Sequence, residues 1–193
     1  LASTGARQIV TACPNCEARL RATLMPDIQI RSLYSLLVAA GVRLRGSEKL
    51  TFHDSCPDRL DGKNPQDVRT LLSGFPQVEM ASRGSSTICC GSGGIVSMID
   101  PDLCAARAER RLEEFSASGA DICVSSCMSC THRLSRAGDA GRIRHCLEYV
   151  FDISVDYDQI ARNIHQMWEG EQGEINLQRL AATRAQLGRV DNG

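Results

Sequence analysis

Hydrophobic positions along the chain change period several times, and each change marks an element. The apolar run "RQIVTAC" (7–13) stops at a Cys-x-x-Cys pair, after which "CEARLRATL" reads as a helix. The segment "IQIRSLYSLLVAAG" (28–41) spaces Ile30, Leu33, Leu36 and Leu37 as a helix does and ends on Gly41, a helix stop. "KLTFHDSC" (49–56) alternates and predicts a strand. "NPQDVRTLLSGF" (64–75) predicts a helix with Asn64 as its cap and Pro65 as its first residue. A short strand, "QVEMA" (77–81), is expected before "TICCGSGGI" (87–95). "DPDLCAARAERRLEEF" (100–115) carries the strongest helical signal, capped by Asp100, opened by Pro101, with an apolar stripe of Cys104, Ala108, Leu112 and Phe115. "ADICVSSC" (120–127) is again a strand running into Cys-x-x-Cys, and "CTHRLSRA" (130–137) again a helix. Strands alternating with helices predict an α/β fold with a largely parallel sheet and flanking helices. Residues 153–193 read as a polar helical extension.

The pattern repeats. "TACPNCEARLRA" (11–22) lines up with "SSCMSCTHRLSRA" (125–137), Cys13 matching Cys127 and Cys16 matching Cys130. After nearly the same gap, "IRSLYSLLV" (30–38) matches "IRHCLEYVF" (143–151). The second copy is preceded by Cys56 and the adjacent pair Cys89–Cys90; the first has no such counterpart. Residues 1–44 thus read as the C-terminal remnant of a first unit, 45–152 as a complete second unit, and 153–193 as the extension. The missing N-terminal half of the first unit is the first expected partner.

Composition narrows the chemistry. The 193 residues are 42% hydrophobic with a formal net charge of −1 and no Lys/Arg run, so nucleic-acid binding is set aside. The longest apolar stretch, "LYSLLVAAGV" (33–42), is too short to span a bilayer, and no signal or transit peptide is evident. A cytoplasmic location is expected, with any peripheral membrane association made through a partner. Ten cysteines are the outlier. Clustered as CxxC and CC in a helix-and-strand protein, they point to metal or redox chemistry in a reducing compartment rather than to a disulfide framework.

In the second unit Cys56 is followed after 32 residues (57–88) by Cys89-Cys90-Gly91, and after 36 more (91–126) by Cys127-x-x-Cys130. Each lies on a loop or strand end, so the five can converge at one sheet edge, where open α/β folds place their ligands. Five thiolates suit a soft centre, zinc or iron in a cluster. Adjacent thiolates reach two corners of one small ion only with strain but can serve two irons, which favours a multinuclear centre over zinc. Gly91, Gly93 and Gly94 would let backbone N–H groups turn toward sulfur. The loop lacks the Lys-Ser/Thr ending of a phosphate-binding turn.

"FHDSCPDR", "CCGSGG", "GADICVSSCMSC" and "TACPNC", spread over residues 7–152, together resemble the cysteine-rich CCG domain of the heterodisulfide reductases. The same domain occurs in the iron–sulfur subunits of glycolate oxidase, anaerobic glycerol-3-phosphate dehydrogenase and lactate-utilisation proteins. The resemblance implies one noncubane [4Fe–4S] centre held by Cys56, Cys89, Cys90, Cys127 and Cys130. It also implies an oxidoreductase that passes electrons to a disulfide substrate, or between a flavoprotein dehydrogenase and a quinone-type acceptor, with flavoprotein or ferredoxin-type subunits as partners. Two alternatives stand beside it: a zinc-stabilised interaction module without catalysis, and a thiol–disulfide oxidoreductase built on Cys13 and Cys16. Cys13 and Cys16 are also candidates for a partial second metal site. His53, three residues before Cys56, is expected to donate to sulfur, shuttle a proton or make a structural hydrogen bond. Arg59 and His132 are candidate cationic neighbours. Cys104, Cys123 and Cys146 fall on apolar positions and are expected in the core.

Overall fold

A computed structural model describes residues 5–23, 27–59, 62–93 and 99–190. The chain divides into two compact units, Leu1–Val155 and Asp156–Gly193. The first is α/β with all-parallel strand pairing. Strands β1 (Gln8–Thr11) and β2 (Gln29–Ser32) form a two-stranded sheet; β3 (Leu50–His53), β4 (Ile122–Ser125) and β5 (Ile143–His145) form a second, in the order β3-β4-β5. Helices α1 (Pro14–Thr23), α2 (Leu33–Ala39), α3 (Lys63–Leu71), α4 (Pro101–Ser118), α5 (Met128–Ala137) and α6 (Cys146–Phe151) follow the strands in sequence.

The period-2 alternation of β3 and β4 sorts their side chains onto two cores. Leu50 and Phe52, in register with Ile122 and Val124, pack with Tyr34, Val68, Leu71, Leu72 and Cys146. On the other face Cys123, opposite Thr51, packs with Met80, Ala108, Phe115, Leu134 and the sulfurs of Cys90, Cys127 and Cys130. His53, opposite Ser125, shares this second face at the C-terminal end of β3. Cys104, Cys123 and Cys146 are all buried.

The duplication is visible atom by atom. The Cys13 amide donates to the Thr11 hydroxyl at 3.1 Å, as the Cys127 amide does to Ser125 at 3.2 Å. The Glu17 amide donates to the Cys13 carbonyl at 2.9 Å, as Thr131 does to Cys127 at 2.9 Å. The Tyr34 hydroxyl lies 2.9 Å from the Ala12 carbonyl and 3.1 Å from that of Ser126, equivalent positions in the two repeats.

Three local expectations are corrected. Residues 28–41 do not form one helix: Gln29–Ser32 pair with β1, and the helix starts only at Leu33. "QVEMA" is not a strand; it touches β3 through one bridge, Leu50 to Gln77, with the Val78 amide 2.9 Å from the Leu50 carbonyl. The cap of α3 is Gly62 at φ 62°, not Asn64. Asn64 lies within the first turn and its buried amide donates to Glu17 (2.9 Å) and Asp58 (3.1 Å), a better use of a buried polar group than a cap on an exposed end. Asp100 does cap α4, accepting from the Leu103 amide at 2.9 Å.

The second unit is helical: α7 (Tyr157–Gln166), capped by Asp156, and α8 (Gly170–Val190). Among the described residues no helix is long and apolar enough to cross a membrane.

Candidate metal centre

Three chain segments meet at the C-terminal ends of β3 and β4. The first is "HDSCPDR". Asp54, 5% exposed, receives both Nη atoms of Arg69 (2.8 and 3.1 Å), and Arg69 also grips Glu79 through Nε (2.7 Å) and Nη2 (2.8 Å). A bidentate guanidinium on each side fixes the strand exit against the second segment, which leads to the CC pair. Asp54 then holds that segment directly: its carboxylate accepts from the Gly84 amide (2.8 Å) and its carbonyl from the Thr87 hydroxyl (2.9 Å). Arg59 adds a bond to the Thr87 carbonyl. Cys56, opening the 3₁₀ turn Cys56–Arg59, and Cys89, two residues past Thr87, are thereby brought together.

Replacing Arg69 with methionine would leave Asp54 buried without its cation. The Arg69→Met chain is expected to lose about 3 kcal/mol of unfolding free energy in urea titrations, and a loss below ~1 kcal/mol would contradict this role.

The third segment is the start of α5. Cys127 is its N-cap residue and Cys130 sits in its first turn, so one thiol meets free backbone N–H groups and the other points along the same face.

The structure brings Cys56, Cys89, Cys90, Cys127 and Cys130 into one connected set of thiols. Cys56 donates to the Cys89 sulfur at 3.8 Å. The Cys90 and Cys130 sulfurs and a ring nitrogen of His53 all lie within 4.8 Å of one another. Cys127 joins Cys90 and Cys130 in one buried cluster, so the set runs from the half-buried Cys56 and Cys89 to the buried Cys90, Cys130 and Cys127. The two neighbours Cys89 and Cys90 face different members of the set, Cys89 toward Cys56 and Cys90 toward Cys130.

Acidity divides the set: Cys89 and Cys127 fall, while Cys56, Cys90 and Cys130 rise. Hydrogen bonds from Cys56 and Cys90 pull Cys89 far down, to about 2, helped by the Gly91 amide 3.4 Å from its sulfur and by Arg107. The Cys130 thiol, with the N–H groups of Ser129 and Cys130, lowers Cys127 to about 6 despite burial. Donating to these sulfurs pushes Cys56 and Cys130 up. Cys90 is pulled down by Cys130, but donation to Cys89 and burial win and raise it to about 12.

His53 is buried at 2% exposure, and its Nδ1 accepts from Arg111 Nε at 2.9 Å. Burial, then the Arg111 charge, hold its pKa down to about 3. Gly91 has φ +80° and lies against the Cys104 backbone; Gly93 is exposed with open space around it, and Gly94 lies outside the described residues.

Cys13 and Cys16 stand apart at the start of α1, half-buried and exposed respectively, both free thiols. Their link to the five is Asn15, whose amide donates to the Cys127 sulfur at 3.7 Å. The Cys13 thiol is raised, chiefly by burial, the opposite of the depression that a thioredoxin-like nucleophile needs.

Sequence reasoning missed Arg69, Arg111, Asn15 and Arg107. Arg111 had a legible signal: with Cys104, Ala108 and Phe115 it falls at spacings of four, three and four, on the apolar stripe itself.

Residues 50–135 match a family described as the CCG cysteine-rich domain. One subunit of the dihydromethanophenazine:CoB–CoM heterodisulfide reductase from Methanosarcina barkeri is 30% identical over 155 residues, covering 72% of this chain and 38% of that relative. The glycolate oxidase iron-sulfur subunit of Escherichia coli is 28% identical over 109 residues, covering 55% and 26%. An uncharacterized iron-sulfur protein from Methanococcus maripaludis is 24% identical over 129 residues, covering 65% and 26%. The chain thus spans well under half the length of these curated relatives.

Proposed function

We propose that this chain is the cluster-binding part of an iron–sulfur oxidoreductase, a reading supported by the match of residues 50–135 to the CCG cysteine-rich domain. Cys56, Cys89, Cys90, Cys127 and Cys130 hold one noncubane [4Fe–4S] centre. The observation that carries this reading is the gathering of five thiols at one edge. Cys56 and Cys89 lie at its half-buried end and Cys90, Cys127 and Cys130 at its buried end, one sulfur more than a closed tetrahedral zinc site takes. Relatives named as iron–sulfur proteins, at 24% and 28% identity, and a heterodisulfide reductase subunit at 30% support the same class.

Such a centre, when bound, takes up and passes on single electrons. The chain's residues do the rest. Cys90, Cys127 and Cys130 are buried, so one side is shielded from water, while the half-buried Cys56 and Cys89 form the edge open to an electron partner. The Gly91 amide and Arg107 offset negative charge at Cys89. Arg69 and Asp54 keep the two loops in register without touching sulfur. The acceptor is a disulfide, by analogy with the heterodisulfide reductase relative, or a quinone-type carrier fed by a flavoprotein, by analogy with the glycolate oxidase relative. The partners are flavoprotein or ferredoxin-type subunits, together with a preceding CCG unit. In the repeat, β1 corresponds to β4 and β2 to β5; a strand in the place of β3 would pair with β1, where Val10 is 47% exposed. That unit would also supply the remaining ligands beside Cys13 and Cys16.

Metal and sulfide analysis of protein prepared and reconstituted without oxygen tests the proposal. About four iron and four sulfide per chain are expected, with a brown colour. A chain still colourless and iron-free after reconstitution would overturn it, and a single zinc retained in air would select the interaction-module alternative.

A further inference from the structure

We infer that His53 is a fixed N–H donor to the sulfur set, locked into that tautomer by Arg111, and not one of its ligands. The inference rests on the proposed metal centre but is argued from the ring itself.

A neutral imidazole has one N–H and one lone pair, and a guanidinium has donors only. Arg111 Nε stands 2.9 Å from His53 Nδ1, so Nδ1 must supply the lone pair and the ring proton must sit on Nε2. Arg111 cannot yield its place. It is 1% exposed, and its other nitrogens reach the Ser82 carbonyl (2.7 Å), the Phe52 carbonyl (3.2 Å) and Glu114, which in turn accepts from the Ser82 hydroxyl (2.5 Å). An Nδ1–H tautomer or an imidazolium would set N–H against N–H, and a flipped ring C–H against N–H, in a site with no room to part.

Nε2 has no hydrogen-bond partner among the described residues. A buried N–H without an acceptor costs about 1–3 kcal/mol, so the acceptor should be sought in the neighbourhood. That neighbourhood is the Cys90 and Cys130 sulfurs, within 4.8 Å of a ring nitrogen of which only Nε2 is uncommitted. Proximity alone would suggest a Cys₂His metal site. The far nitrogen argues otherwise: a metal-binding histidine donates its other N–H to a carboxylate, carbonyl or water, and here that nitrogen faces a cation that can only donate. The arrangement is the reverse of a ligand's. A donor aimed at thiolate sulfur stabilises the more negative, reduced state of an anionic centre and raises its potential.

Two measurements test this. The first is long-range ¹H–¹⁵N NMR on the metal-free, ¹⁵N-histidine-labelled chain, the His53 signal being assigned by its loss in His53→Gln. The Nε2–H tautomer is expected, and Arg111→Met should release the preference. An Nδ1–H ring or an imidazolium at neutral pH in the unmodified chain would overturn the inference. The second is the midpoint potential of the reconstituted centre. At the potential where the unmodified centre is half reduced, His53→Leu should shift the oxidised-to-reduced ratio about tenfold toward oxidised. His53→Gln, which keeps a donor at similar reach, should restore most of it. An unchanged potential in fully loaded His53→Leu would also overturn the inference. Failure of every variant and of the unmodified chain to take up iron would instead refute the cluster reading. The NMR result, which needs no iron, would still decide whether His53 is a donor.

Discussion

Replacing Cys90 with alanine is expected to leave the reconstituted chain with almost no iron, while Cys146→Ala keeps about four per chain. The two thiols are equally hidden, at 1% and 0% exposure, so burial does not separate them; company does. Cys90 lies with the Cys130 sulfur and His53 at the C-terminal ends of β3 and β4. Cys146 belongs to the other core, with Leu50, Leu71, Val124 and Tyr34. Its thiol is raised to about 12 by burial alone, the behaviour of a small hydrophobe. Cys90 is different in kind: it follows Cys89 in the chain and lies beside Cys130 in space, so it joins the half-buried and buried ends of the set. Without it the two ends have no common member. Cys146→Ala should cost only core packing, about 1 kcal/mol, with its iron intact. Iron retained in Cys90→Ala, or lost equally in both, would show that the five thiols are not the ligand set. Far-UV circular dichroism of both variants separates loss of metal from loss of fold.

The convergence of those thiols was legible because it rests on spacing and repetition, which a sequence displays directly. Two copies of strand, CxxC and helix fixed where each pair would sit, and parallel strands put all of them at one edge. What holds the edge together was much less legible. Asp54, Arg69 and Glu79 are far apart in sequence and each looks like an ordinary surface charge until the strand and α3 are folded against one another. Asn64 reads as a cap because its neighbours are those of a cap; only the closeness of Glu17 from the other repeat redirects it. "QVEMA" has strand composition, but a single bridge to Leu50 satisfies it before it swings toward the CC pair. Arg111 sits on an apolar stripe, where an arginine is ordinarily read as a misfit at the stripe's margin; its burial makes sense only once His53, Ser82 and Glu114 are placed around it. The residues that do chemistry were thus marked by type and spacing. Those that aim the chemistry were marked only by partners distant in the chain.

Gly91 joins the two kinds, and Gly91→Ala is expected to be the most damaging single-methyl change at the site. Its φ of +80° disfavours any L side chain by about 1–2 kcal/mol. A Cβ there would also lie 2.5 Å from the Cys104 carbonyl oxygen and 3.0 Å from the Cys104 Cα. These are backbone atoms in the first turn of α4, which Asp100 caps, so they cannot swing aside as a side chain would. Either α4 or the CC turn must shift. The turn is the weaker party, because α4 is a capped helix of 18 residues, whereas the turn is held through the Thr87 hydroxyl on the Asp54 carbonyl. Shifting it moves the Gly91 amide off the Cys89 sulfur, 3.4 Å away, and Cys89 away from Cys56. Strain and overpacking together should lower the unfolding free energy of the metal-free chain by about 3 kcal/mol. Iron uptake should fall with it. Gly93→Ala is the control: no positive φ and nothing within 4 Å of its Cβ position, so a change within about 0.5 kcal/mol and full iron are expected. Urea unfolding of both variants reads the first quantity and metal analysis the second. Equal behaviour of the two would mean that the CC turn is free to rearrange, and that close packing of Gly91 on Cys104 does not set the geometry of the thiols.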